Sequence, residues 1–164
     1  MTRPQPSAYP HAPEPSSSQG AGLMAFAAVL SFAIALVHVG AAFIGPAAYR
    51  YLTAPNAFVD AALRHRLVPG LITLLIAGVF TLFGWYAWSA SGRARPMPAL
   101  KVILIGIASI YTLRGLTVVP ETVLFLHTTQ LPVRALVFST IALLIGIVHF
   151  VALARRWPAL SSSH

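Results

Sequence analysis

The chain has no cysteine and only three acidic residues among its 164. The first absence excludes disulfides, thiolate metal sites, dithiol redox chemistry and cysteine nucleophiles. The second belongs to a wider scarcity. Charged residues make up 9% of the chain, where soluble domains carry about 25%. So few charges cannot build a water-facing surface around a chain that is 57% hydrophobic. Phosphate-binding glycine loops, nucleophile elbows, paired-histidine zinc helices and heptad zippers are also missing.

What the chain does have is four apolar blocks, each about the length needed to cross ~30 Å of hydrocarbon at 1.5 Å per residue. They run over about 22–44, 67–90, 100–119 and 133–154, with Gly45-Pro46 closing the first and Pro120 the third. Lipid cannot satisfy exposed backbone amides, so these blocks are expected to be helical despite their many β-branched residues. The expected fold is all-α: an integral membrane four-helix bundle. Residues 1–21, rich in Pro and Ser, are expected to form a disordered tail. The membrane domain should cover 22–156, followed by a short tail over 157–164. No basic stretch abuts the first block, which is long enough to span, so it reads as a retained helix and not a cleaved signal.

Each span has a stripe of small or weakly polar residues suited to helix contacts. In the first it is Ala27, Ser31, Ala35, His38 and Ala42; in the second Gly70, Thr73, Ala77, Thr81 and Gly84; in the fourth Ala135, Ser139, Ala142, Gly146 and His149. The third carries Tyr111, Arg114, Thr117 and, beyond Pro120, Glu121. Between the first two spans, PNAFVDAALRHR reads as a short interfacial helix with Asp60 and Arg64 four residues apart. PETVLFLHTTQLP, before the fourth span, is expected to dip into the interface.

Basic residues cluster beside the apolar blocks and form no continuous stripe. The net charge of +8 therefore points to lipid headgroups and not to nucleic acid. One side carries Arg3, Arg93, Arg95, Lys101, Arg155 and Arg156, the other Arg50, Arg64, Arg66 and Arg134. That bias favours both termini in the cytoplasm.

Arg114 is the most informative residue, because a charge inside a span usually faces the bundle or a wet cavity. It reads either as an anchor for an anion or polar headgroup, with Tyr111 and Thr117 a turn away, or as a structural partner of Glu121. His38 falls at nearly the same predicted depth, and the two could meet. Tyr49 and Arg50 either line a pocket above them or act as interfacial anchors. His38, Tyr49, Arg50, Tyr111, Arg114 and Glu121 thus form the candidate ligand-binding set. No catalytic residue, metal site or cofactor is indicated: His38 and His149 lie at different levels, unsuited to joint haem ligation, and no metal-ligand spacing links His38, His65 and His127.

A histidine before GPAAYR, the WYAWSASGR end of the second span and the YTLRG segment together resemble a group of small, uncharacterised bacterial inner-membrane proteins, over about residues 30–120. In size and four-span layout the chain is similar to the DoxX-like proteins. The resemblance implies a bacterial inner membrane and says nothing of catalysis. The leading expectation is a non-catalytic accessory protein that binds a lipid, another membrane protein or a second copy of itself. A membrane redox component using quinone or haem, and a subunit of a proton-coupled transporter, are the alternatives.

Overall fold

The computed structural model describes residues 15–64, 67–128 and 131–161. These form seven helices: α1 (Pro15–Ile44), α2 (Pro46–Tyr51), α3 (Asn56–Leu63), α4 (Val68–Ala90), α5 (Leu100–Leu116), α6 (Val118–His127) and α7 (Val133–Ser161). There is no strand among the described residues. Four stretches are long and apolar enough to cross a membrane: Gly20–Ile44, Val68–Ala90, Leu100–His127 and Val133–Ser161. Only 22–33% of the most apolar part of each is buried within the protein. The remaining apolar surface, with Leu36 at 71% and Val102 at 72% exposed, requires hydrocarbon around it. The chain is therefore a multi-pass membrane protein built as a four-helix bundle.

The spans are arranged in a ring. α1 packs mainly on α4 and next on α7, while α5 packs on α7 and more lightly on α4. The small-residue stripes supply much of the contact: Ala27, Ser31, Ala35, Thr73, Ala77, Gly84, Ala135, Ser139, Gly146 and His149 are all buried. His38, Ala42, Gly70 and Ala142 are half-buried, and Thr81 faces outward and returns its hydroxyl to the Ala77 carbonyl at 2.9 Å. Glycine is needed where helices approach closest. A Cβ on Gly115 would overlap the backbone of Leu143, and one on Gly146 would lie 2.7 Å from the Thr112 amide nitrogen.

At the end bearing the termini, the helices are tied by basic side chains. Arg93 donates to the Ala21 carbonyl at 3.4 Å, Arg156 to Ala90 at 3.0 Å, and Lys101 to Ser161 at 2.9 Å. At the opposite end Gly45, with φ of +76°, separates α1 from α2. Tyr49, Val59 and Ala41 form a small second core there, and α3 occupies the place of the expected interfacial helix.

Several boundaries differ from expectation. Residues 15–21, assigned to a disordered tail, belong to α1, where Gly20 packs against Arg155 and supports the extra turns; residues 1–14 lie outside the described residues. The C-terminal tail from 157 is helical to Ser161, with Pro158 inside the helix and Leu160 packed on the core. Pro120 does not end the third span. It lacks the amide that would bond the Leu116 carbonyl, so the ladder breaks after α5 and resumes as α6. The segment from Pro120 expected to dip into the interface is helical as far as His127. His65 and Arg66 lie outside the described residues.

Candidate functional site

Two separate groups of polar residues are joined between helices in the membrane region. The first lies at the bundle centre. Tyr111 of α5 donates to Ser31 Oγ of α1 at 3.1 Å, and Ser31 Oγ is 3.5 Å from His149 Nε2 of α7. His149 Nδ1 bonds the Ile145 carbonyl at 2.9 Å. Since a carbonyl only accepts, that bond puts the proton on Nδ1 and leaves Nε2 to accept from Ser31. Around these bonds run ring contacts: His149 on Tyr111 at 5.2 Å, Tyr111 on Phe80 at 5.7 Å, and Phe80 on His38 at 5.0 Å between centroids. His38 also bonds the Ile34 carbonyl of its own helix at 2.8 Å. Ser31, Tyr111 and His149 are buried and mutually satisfied, so this group is packing with hydrogen bonds inside it.

The second group sits where α5, α6 and α7 meet. Arg114 Nη1 donates to Thr117 Oγ1 at 2.6 Å and to Ser139 Oγ at 2.7 Å, and lies 3.7 Å from Glu121 Oε1. Ser139 donates to Glu121 Oε2 at 2.6 Å and Thr117 to Glu121 Oε1 at 3.2 Å. The break at Pro120 does not disturb the seven-residue spacing that sets Glu121 above Arg114 on one helix face. Glu121 is mostly sheltered, at 20% side-chain exposure, but Arg114 is 48% exposed. Its Nε and Nη2 have no hydrogen-bond partner among the described residues. Ser139 is six residues from the start of α7, which puts the group about 9 Å below that helix end.

The candidate residues are therefore divided among three places. Arg114 and Glu121 come together, as the structural-pair reading of Arg114 anticipates. His38 and Tyr111 belong to the central group, and no bond joins His38 to Arg114. Tyr49 is buried in the second core, edge-on to Phe58 at 5.1 Å, and does not line a pocket above them. Arg50 is exposed, and its carbonyl accepts a long bond of 3.5 Å from Arg134.

Sequence reasoning did not single out Ser31, Phe80, Ser139 or His149 as members of polar or aromatic groups. Ser31, Ser139 and His149 were visible as the most polar positions on otherwise small-residue stripes, whereas nothing marks Phe80. Thr112 Oγ1 is buried against Gly146 without a hydrogen-bond partner among the described residues. Among the described residues no three of His, Asp and Glu converge as metal ligands. The chain matches no known family model, no curated protein and no solved structure.

Proposed function

We propose that the chain is a non-catalytic accessory membrane protein whose working surface is the cluster of Arg114, Thr117, Glu121 and Ser139. It engages a hydrogen-bond acceptor presented from the side, by a lipid headgroup or by another membrane protein. One observation carries this reading. A guanidinium within a membrane-crossing stretch is about half exposed, with one nitrogen tied to the bundle and the other two nitrogens unpartnered among the described residues. Donors facing hydrocarbon without an acceptor are costly, and intramembrane charges accordingly find partners or reach headgroups.

The reading is tested by purifying the parent and the Arg114→Ala and His38→Ala variants in mild detergent. Retained phospholipid and copurifying protein are then measured for each. Loss in folded Arg114→Ala, with His38→Ala resembling the parent, is the expected result. Equal retention in all three removes the cluster as a binding surface.

The proposed location is a bacterial inner membrane, on the strength of the resemblance in the His38-to-Arg50 and YTLRG segments. Both termini are proposed to face the cytoplasm. Arg93, Arg95, Lys101, Arg155 and Arg156 share the terminal end of the bundle, and cytoplasmic loops carry the excess of basic residues.

A further inference from the structure

We propose that the occupant of the Arg114 surface is a second copy of this chain, related by a two-fold axis along the membrane normal, with each Arg114 donating to Glu121 of the partner subunit. The proposal rests on the function assigned above and names the partner.

Three features support it. First, the exposed Arg114 has an opposite charge beside it, the carboxylate of Glu121, which is mostly sheltered but keeps 20% of its side chain at the surface. Arg114 and Glu121 approach to 3.7 Å, so their charged groups lie at one membrane depth. Rotation about the membrane normal preserves depth. It therefore brings each guanidinium level with the other subunit's carboxylate, as an isologous interface requires. Second, a phosphate would approach this neutral pair with its own negative charge close to Glu121. A second copy matches both signs, and like-charge contacts are what complementary interfaces avoid.

Third, the surrounding face suits a close helix approach. Gly106, Ile110, Arg114, Thr117, Glu121 and Leu124 follow one another at three- or four-residue spacing, a single stripe along α5 and α6. A Cβ on Gly106 would meet nothing within 4 Å, and Ile110 and Leu124 are 51% and 48% exposed. An exposed glycine on such a stripe lets two helix backbones come near enough for the side chains beside it to meet. α6 buries no residue within its own chain.

The test uses the full-length chain in liposomes at high dilution, with subunits counted by single-molecule photobleaching. Because the chain has no cysteine, single-cysteine variants report contacts without background. The parent is expected to be dimeric. Under mild oxidation Leu124→Cys should cross-link at least tenfold more than Leu36→Cys, which is on the outer face of α1. Arg114→Glu and Glu121→Arg should each be monomeric alone and form mixed dimers when coexpressed. A network confined to one chain cannot produce that rescue. Should the charge variants not fold, subunit counting on the parent and the cysteine pair still decide.

A monomeric parent overturns the proposal, as does cross-linking through Leu36→Cys in place of Leu124→Cys. A monomer that loses retained lipid or protein on Arg114→Ala leaves the binding function standing with another occupant. A monomer unaffected by Arg114→Ala ends both.

Discussion

Tyr111 reaches all three other spans from α5, through its bond to Ser31 and its ring contacts with Phe80 and His149. Replacing only its hydroxyl separates the bond from the packing. Tyr111→Phe should lower unfolding stability in detergent by about 0.6 kcal/mol, and by no more than about 1.7 kcal/mol, the range for hydrogen bonds between membrane helices. Tyr111→Ala, which also empties the centre, should cost about 3–5 kcal/mol. Equal losses for the two would show that the rings contribute little.

Thr112→Val should behave in the opposite sense. It removes a buried hydroxyl that has no partner among the described residues, and a gain of about 1 kcal/mol is expected in the same unfolding assay. The sequence put Tyr111 and Arg114 on one polar stripe, three residues apart, and could not divide them. On a helix that spacing leaves some 60° between side chains. Tyr111 thereby falls at the bundle centre and Arg114 at its rim. Where the centre lies is decided by the neighbouring helices, which a single span does not encode. The same ignorance placed His38 with Arg114, when Phe80 of α4 was the neighbour it found.

Between α5 and α7, the close approach depends on Gly115 and Gly146, each set against backbone of the other helix. Gly115→Ala and Gly146→Ala should each destabilise by about 1–3 kcal/mol, because a rigid backbone cannot make room as a side chain can. Gly78→Ala, which meets open space on α4, should leave stability within about 0.5 kcal/mol of the parent. Pro120 governs the other feature at this scale. Pro120→Ala restores a donor for the Leu116 carbonyl, and amide exchange at residue 120 should become as slow as in the middle of α5. Fast exchange there would show that the break has another cause.

The four spans and the small-residue stripes were legible because hydrocarbon length and helix contact act on local sequence. The ends were less so. Residues 15–21 look unstructured by composition but extend α1, and Pro120 looks like a stop but interrupts a helix that continues.

Over the whole molecule, the balance of forces is set by the surroundings. No more than a third of the apolar stretch of any span is buried within the bundle, and the basic residues that tie the helices lie at its ends. Arg114 is the exception, since it opens toward the side with Glu121 sheltered beside it. Composition made the membrane location readable, whereas the role of the polar cluster depends on which residues the folded bundle leaves exposed.

The central claim is that hydrocarbon surrounds four crossings with both termini on one side. Single-cysteine variants of the cysteine-free chain in intact vesicles, treated with a membrane-impermeant maleimide, test it directly. Ala94→Cys and Ser161→Cys should label from one side and Thr53→Cys and Thr128→Cys from the other, while Leu75→Cys and Ile147→Cys remain unlabelled until detergent is added. Labelling of the two mid-span positions in intact vesicles, or of all four end positions from a single side, would contradict the account.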